Sequence, residues 1–257
     1  MLEIKNICKS YGNLQVLRDV TLSVGEHEIV TILGPSGAGK TTLLQIAGTL
    51  DKADSGQILY DGVAVDSFRD RRLSAFRNDN IGFIFQFHQL LAEFNARENV
   101  ALPAMIGGSS RRKALKRADE LLAMLGLGDR LYHKPAQMSG GERQRVLLAA
   151  VLAQEANVVV MDEPTTYLDP TACFELMTMA RGLAQGGAAV AMVLHDIPLA
   201  LSFCDRAAVL AQGRVQAFGS VEDVAASGII DRVFDVRLQR MSSDADGRAG
   251  YCLMPRR

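Results

Sequence analysis

The sequence lacks a strong net charge and any long apolar run. Its 28 Lys and Arg residues nearly balance 29 Asp and Glu residues, for a formal net charge of −1, so the broad basic field that nucleic-acid binding usually requires is missing. The longest apolar stretches, 146–153 and 188–194, are far below the roughly 20 residues of a membrane-spanning helix. These absences disfavour duplex readers and polybasic membrane binders, and the chain is not expected to cross a membrane by itself or to bind nucleic acid.

The N-terminus and the cysteines both indicate a cytosolic setting. Residues 1–6 alternate charged and apolar side chains, with no continuous hydrophobic region behind a basic start, so no secretory signal is predicted. The four cysteines, Cys8, Cys173, Cys204 and Cys252, are scattered and form no CxxC pair of the kind that binds zinc or works as a redox dithiol. We therefore expect four buried, reduced thiols.

Length and periodicity favour an α/β fold. With 257 residues, 48% of them hydrophobic, the chain can bury a sizeable core in one large domain or one domain with a subdomain. Strand-type segments are 2–7, 14–24, 28–33, 57–60, 157–161 and 188–194, and helix-type segments are 110–125, 141–153 and 170–185. The β/α alternation of the second half favours a parallel sheet covered by helices on both faces.

Residues 34–41, Gly-Pro-Ser-Gly-Ala-Gly-Lys-Thr, match the GxxxxGK[ST] pattern between a predicted strand and a predicted helix. Glycines let successive N–H groups turn towards phosphate oxygens, and the following helix adds the positive end of its dipole. Lys40 supplies a charge for the β and γ phosphates, and Thr41 supplies a hydroxyl for Mg²⁺. The predicted contacts with a nucleoside triphosphate are Gly34, Pro35, Ser36, Gly37, Ala38, Gly39, Lys40, Thr41 and Thr42.

Two adjacent carboxylates, Asp162 and Glu163, follow the apolar segment 158–161. In α/β sheets, ligands bind at the carboxyl edge of the strands, where these two side chains are expected. Asp162 can hold Mg²⁺ through water, which leaves Glu163 to orient or deprotonate the attacking water. Together with the phosphate loop, they predict hydrolysis of the bound triphosphate.

A third motif precedes this strand: Met138-Ser139-Gly140-Gly141-Glu142 opens a predicted helix, with Ser139 as its cap. With the motifs in this order, residues 1 to about 225 resemble the ATP-binding cassette (ABC) family. The segment resembles the signature loop of that family, usually Leu-Ser-Gly-Gly-Gln, with Met138 in place of Leu and Glu142 in place of Gln.

The resemblance implies a P-loop ABC fold. Its parts are a mostly parallel core sheet with flanking helices, a small antiparallel β subdomain and a helical subdomain at about 87–155. Residues 226–257 are expected to form a C-terminal appendage, a hairpin of strands over 235–241 and 251–254.

The resemblance also implies partners. In the family, two cassettes sandwich two ATP molecules head to tail, so Ser139, Gly140, Gly141 and Glu142 would contact ATP bound to the other cassette. A single cassette therefore implies a dimer of ATPase subunits, and separate transmembrane permease subunits would place it at the cytoplasmic face of the cell membrane.

Further roles carry over by position. Tyr11 resembles the aromatic residue that stacks on adenine, and Gln86 the glutamine that reaches Mg²⁺ and the attacking water, since an amide offers a donor and an acceptor. His195 resembles the histidine that contacts the γ-phosphate and steadies Glu163. The implied catalytic residues are Lys40, Gln86, Glu163 and His195, with ATP and Mg²⁺ as cofactors and Thr41, Gln86 and Asp162 as metal ligands.

The two halves of the chain resemble different branches of the family. Segments 48–51, 75–78 and 81–100 resemble lipoprotein-releasing and macrolide-efflux ATPases, whereas 162–169, 193–196, 204–206 and 213–215 resemble importers of iron-siderophore, haem and cobalamin complexes. The groove that docks the membrane subunit in the family, at roughly 87–135, falls in the export-type half, which favours a lipoprotein-releasing or related export system.

Metal-chelate import is the alternative. A non-transport ABC ATPase would need a long coiled-coil insertion between Gln86 and Ser139 or a second cassette, and a single-site P-loop kinase or GTPase would leave the signature loop and His195 unexplained.

Overall fold

The computed structural model describes residues 2–85, 90–166, 168–241 and 250–256. The strands are β1 Leu2–Tyr11, β2 Leu14–Val24, β3 Ile29–Leu33, β4 Ser55–Tyr60, β5 Val63–Ala64, β6 Ile81–Ile84, β7 Val158–Asp162, β8 Ala189–Val193, β9 Arg206–Ala211, β10 Arg214–Ser220, β11 Val236–Met241 and β12 Gly250–Pro255. The helices are α1 Lys40–Ala47, α2 Asp70–Asn80, α3 Ala96–Ile106, α4 Arg111–Met124, α5 Gly140–Gln154, α6 Pro170–Gln185, α7 Ile197–Phe203, α8 Val221–Ala226 and α9 Ile229–Phe234.

The chain divides into two compact units. Unit 1 comprises Met1–Ser67 and Ala180–Arg257, and unit 2 comprises Phe68–Met179. Unit 1 carries the phosphate loop and the C-terminal strands, whereas unit 2 carries the signature segment and the Asp162-Glu163 pair.

A parallel sheet forms the core of unit 1. Strand β3 pairs in parallel with β8 on one side and β9 on the other, and β10 runs antiparallel to β9. All five residues of β3 and all five of β8 are buried, as expected where both faces of a parallel sheet are covered. The parallel arrangement predicted from the β/α order is confirmed for these strands.

Unit 1 also contains the predicted antiparallel sheet, in the order β2-β1-β4-β5. Strands β4 and β5 are joined at Asp61 and Gly62, whose φ angles of 49° and 77° fit a two-residue hairpin turn. The backbone N–H of Arg18 in β2 donates to the carbonyl of Gly213, between β9 and β10, at 2.7 Å. This bond ties the antiparallel sheet to the parallel sheet within unit 1.

Helices α3, α4 and α5 pack together in unit 2 around one apolar cluster. Helices α3 and α5 each begin with a capping box, Asn95 with Glu98 and Ser139 with Glu142, which satisfies N–H groups that have no partner inside the helix. The buried members of the cluster are Ala96, Val100, Ala101, Ala114, Ala118, Leu121, Leu122, Leu127, Met138, Val146, Ala149 and Ala153. The helical character predicted for the middle of the chain is confirmed.

The start of β6 is fixed by the side chain of Gln154, at the end of α5. Its amide nitrogen donates to the carbonyl of Asn78 at 2.7 Å and to that of Ile81 at 2.8 Å. Strand β6 then pairs in parallel with β7. One side chain thereby joins the end of α2, the start of β6 and the end of α5.

Strands β11 and β12 pair antiparallel in the C-terminal segment, where the sequence predicts a hairpin. Tyr251 in β12 is buried, whereas Met241, Leu253 and Met254 are exposed. Strand β12 lies beside α7, so this segment packs on the rest of unit 1 through one face.

The expectation of four buried thiols is wrong for three of them. Cys204 is buried, and burial raises the pKa of its thiol to about 12. Cys8, Cys173 and Cys252 are only half-buried, although all four cysteines are free. Successive residues of a strand face opposite sides of the sheet, and Cys8 in β1 and Cys252 in β12 each follow a buried residue, Ile7 and Tyr251. Cys173 lies in the first turn of α6.

Among the described residues, no helix combines the length and the apolar character needed to cross a membrane.

Gln154→Glu is expected to lower the free energy of unfolding by about 2 kcal/mol, because a carboxylate would face carbonyl oxygens to which the amide now donates. Chemical denaturation measures the change. The matched control is Gln239→Glu, at an exposed position of β11, which should change the unfolding free energy by less than about 0.5 kcal/mol. Equal effects of the two substitutions would contradict the anchoring role of Gln154.

Candidate active site

The phosphate loop leaves the buried end of β3 and turns directly into α1. A Cβ atom built on Gly34 would lie 2.2 Å from the carbonyl oxygen of Leu210, and one built on Gly39 would lie 2.7 Å from a methyl group of Leu17. Gly39 also has a φ of 98°, in the left-handed region, at the residue before α1. These two positions accept only glycine without a shift of the backbone or its neighbours. The close turn of the loop therefore depends on both glycines.

The ammonium group of Lys40 folds back over the loop. Its Nζ donates to the carbonyl oxygens of Gly34 at 2.8 Å and Pro35 at 3.0 Å, and the residue is only 6% exposed. A buried cation surrounded by carbonyls is costly without a countercharge, and the loop backbone supplies the first part of that compensation. Since Thr41 is exposed at the start of α1, the loop offers a cation, a hydroxyl and helix N–H groups, which fits a phosphate chain.

His195 lies at the same sheet edge as the phosphate loop. The register of the parallel pair β3 and β8 matches Ile32 with Val193, so the two strands end within one residue of each other, at the carboxyl edge of the sheet. His195 is exposed there, and the next residue, Asp196, caps α7 by accepting from the N–H of Leu199 at 2.9 Å. The structure therefore brings these two predicted site elements to one edge of unit 1.

Tyr11 stands at the end of β1 and is held by charged neighbours. Its hydroxyl donates to Asp51 at 2.6 Å, and the Lys9 ammonium lies 5.0 Å from the ring centroid and 2.8 Å from Asp51. The hydrogen bond to Asp51 is the largest cause that raises the pKa of Tyr11, and a hydrogen bond with Thr42, next to the phosphate loop, acts in the opposite direction. Tyr11 is 48% exposed, so its ring offers a fixed, accessible π face.

In unit 2, strand β7 carries Asp162 and Glu163 to its carboxyl end. Asp162 is 4% exposed, and Glu163 is also buried. Glu163 has a φ of 50°, which is uncommon for a residue with a side chain and marks strain that often accompanies function. The Thr166 hydroxyl lies 3.5 Å from Glu163 Oε2, and the Thr166 N–H donates to the Glu163 carbonyl. This tight turn orients a buried carboxylate, as a general base requires.

The signature segment starts α5 with a reciprocal cap. The Glu142 N–H donates to Ser139 Oγ at 3.2 Å, and the Ser139 N–H donates to Glu142 Oε2 at 2.7 Å. Arg130 donates to the other carboxylate oxygen, Oε1, at 2.9 Å. The backbone hydrogen bond from Ser139 and the Arg130 contact together lower the pKa of Glu142 to about 2.

Sequence reasoning did not identify Asp51, Arg130 and Thr166 as supports of the site. Asp51 lies 40 residues from Tyr11 and Arg130 lies 12 residues from Glu142, so no local spacing indicates either pair. Thr166, three residues after Glu163, could have been found as a turn partner. Gln86, predicted to reach Mg²⁺ and the attacking water, lies outside the described residues.

Comparison with known proteins places the chain among transport ATPases. Residues 17–166 match the family described as ABC transporter. The lipoprotein-releasing system ATP-binding protein LolD of Bacteroides thetaiotaomicron is 48% identical over 217 residues, which cover 84% of this chain and 99% of that protein. LolD of Porphyromonas gingivalis is 47% identical over 201 residues, covering 78% of this chain and 92% of that protein.

Solved structures show the same fold. The dimeric post-hydrolysis state of the ATP-binding cassette MJ0796, bound to ADP and Pi, superposes with a TM-score of 0.80 at 36% identity, covering 86% of this chain and 99% of that one. The cbiO1 protein of Clostridium perfringens, part of the ABC transporter complex cbiONQ, gives a TM-score of 0.79 at 28% identity, covering 90% and 92% of the two chains. The fold class predicted from the sequence is confirmed.

The low pKa of Glu142 predicts an acid-sensitive cap. Because the pKa is lower in the folded chain than the ordinary 4.5, the carboxylate contributes stability above about pH 4.5 and loses it as the pH falls towards 2. The unfolding free energy of the wild type should therefore fall by about 1 kcal/mol more than that of Glu142→Gln between about pH 7 and about pH 4. Denaturant titrations at both pH values measure this.

The matched control is Glu120→Gln, which removes an exposed carboxylate from α4. This substitution should leave the pH dependence of unfolding close to that of the wild type. The same pH dependence in the Glu120→Gln and Glu142→Gln variants would contradict the role of the cap.

Proposed function

This chain belongs to the ABC transporter family, and we propose that it is the ATP-hydrolysing subunit of a lipoprotein-releasing system. The observation that carries the proposal is the likeness to LolD proteins over nearly their whole length. An aligned stretch of 217 residues extends beyond Asp162, so it includes both the export-type half and much of the importer-type half. The LolD likeness therefore favours the export branch for the whole cassette.

The proposal gives each predicted site residue a role in the reaction. Lys40 and the loop 34–42 hold the phosphates and Tyr11 stacks on the base. Thr41, Asp162 and Gln86 would hold the metal ion that accompanies ATP. Carboxylate, hydroxyl and amide oxygens form a suitable donor set for Mg²⁺, which when bound neutralises phosphate charge.

Glu163 acts as the general base in this proposal. Its carboxylate takes a proton from the attacking water as the γ-phosphoryl group is transferred, and Thr166 holds the carboxylate in place. His195 steadies the γ-phosphate. Lys40 and the loop N–H groups stabilise the charge that builds up on the phosphoryl oxygens, which supplies most of the barrier reduction in this type of reaction.

Two copies are needed to complete each site. We propose that four residues contact ATP bound by the second copy: Ser139, Gly140, Gly141 and Glu142. The positive end of the α5 dipole lies beside Ser139, which caps the helix and is exposed. The dimeric state of the MJ0796 cassette with ADP and Pi supports this assignment. ATP closes the dimer, and hydrolysis opens it.

The proposed partners are separate transmembrane permease subunits, which place this subunit at the cytoplasmic face of the cell membrane. The alternative is an importer of metal chelates, supported by the importer-type motifs at 162–169 and 193–196. The two systems differ in cargo and direction, whereas the ATP chemistry is the same.

Glu163→Gln should retain ATP affinity, lower the hydrolysis rate about 100-fold or more, and accumulate an ATP-bound dimer, because it keeps the shape and loses the base. Lys40→Ala should instead weaken ATP binding at least tenfold. Nucleotide titration, phosphate release and analytical ultracentrifugation measure these effects. A normal hydrolysis rate for Glu163→Gln, or normal ATP affinity for Lys40→Ala, would contradict the assigned role; Lys116→Ala, at an exposed position of α4, is the control.

The transport role predicts which membrane protein co-purifies. Tagged chain extracted from its own membranes should bring down a permease that, in proteoliposomes, releases lipoprotein only with ATP and not with the Glu163→Gln variant. Recovery of a permease that takes up metal chelates would replace the proposal by the importer alternative. If the chain hydrolyses ATP but no permease co-purifies with it, both transport roles are rejected.

A further inference from the structure

The signature segment carries a carboxylate where the family usually has a neutral amide. Both Glu and Gln can accept the Ser139 N–H and form the capping box, so the cap by itself does not require a charge. A carboxylate at a helix N-terminus stabilises the helix, but it repels any phosphate that approaches the same end. Glu142 therefore favours the free helix and opposes its proposed ligand.

The guanidinium of Arg130 pairs with the negative charge of Glu142. Its Nε lies 2.9 Å from Glu142 Oε1, while Oε2 is occupied by the Ser139 N–H at 2.7 Å. Both carboxylate oxygens thus face donors, and the carboxylate is held on the helix cap. The Arg130 side chain is 43% exposed and that of Glu142 19%, so the pair remains close to the surface that a second copy would meet.

The position of Arg130 is set independently of the signature segment. It ends a 3₁₀ turn, Gly128–Arg130, and its own N–H donates to the carbonyl of Leu127 at 2.9 Å. Leu127 belongs to the buried cluster of α3, α4 and α5. A turn anchored in the core of unit 2 therefore positions the guanidinium beside Glu142.

We propose that Arg130 is a positioning residue that offsets the charge of Glu142 and holds its carboxylate in the cap, so that the Ser139 loop can receive the γ-phosphate of ATP bound to a second copy. This inference rests on the proposed function. It makes the Arg130–Glu142 pair a substitute for the neutral glutamine, and Arg130 is needed only because Glu142 is charged.

The test is a rescue experiment with single and double variants. Arg130→Ala should leave ATP binding to a single chain within about twofold, yet weaken ATP-driven dimerisation and lower the hydrolysis rate about tenfold. Adding Glu142→Gln to Arg130→Ala should restore both to within about threefold of the Glu142→Gln single variant. Dimerisation is measured in a Glu163→Gln background, where hydrolysis does not deplete the closed state.

Controls separate charge from structure. Arg112→Ala removes an equal charge from an exposed position of α4 and should change neither readout. If Arg130→Ala fails to fold, Arg130→Gln replaces it, because it keeps a donor for the carboxylate and removes only the charge. Loss of dimerisation that Glu142→Gln does not rescue overturns the inference, since a purely structural role of Arg130 would be insensitive to the charge at position 142.

The experiment distinguishes a failure of the proposed function from a failure of the inference about Arg130. If the wild-type chain neither dimerises with ATP nor hydrolyses it, the proposed function fails before Arg130 is tested. If the wild type does both and the Arg130 variants behave additively with Glu142→Gln, only the present inference is lost.

Discussion

Unit 1 depends on the position of β3 between β8 and β9. Parallel hydrogen bonds on both sides and complete burial leave the strand one register, and a one-residue slip would move its whole apolar set to the opposite face. That register fixes where the chain must leave the sheet. The phosphate loop begins directly after β3, so strand pairing decides its place. His195 reaches the same edge because β8 ends within one residue of β3 in the shared register.

Side chains near the predicted site residues pair with partners that lie elsewhere in the sequence. Asp51 accepts hydrogen bonds from Lys9 and Tyr11, and Glu142 accepts one from Arg130. Such pairs are of modest value on an open surface, but they fix orientation where a ligand demands it. The aromatic face of Tyr11 and the cap of α5 are each oriented by a residue that would contact no nucleotide.

The sequence predicts the periodic and local parts of this structure well. Residues 34–41 lie where the motif places them, and α6 has the predicted bounds Pro170–Gln185, because helix and loop signals are carried by neighbours in the chain. The contacts of Asp51, Arg130 and Gln154 could not be predicted, since their partners depend on how helices and strands pack. Burial of the cysteines was overpredicted because cysteine spacing carries no information on which face of a strand or helix is covered.

Crowding at Gly34 limits how the loop can change over time. The atom that excludes a side chain there is the backbone carbonyl oxygen of Leu210, and every amino acid placed at position 210 would present the same atom. At Gly82, by contrast, the nearest atom is a methyl group of Val151 at 2.6 Å, which a smaller residue would remove. Second-site suppressors of a larger residue are therefore available at Gly82, whereas no exchange at position 210 can suppress a substitution at Gly34.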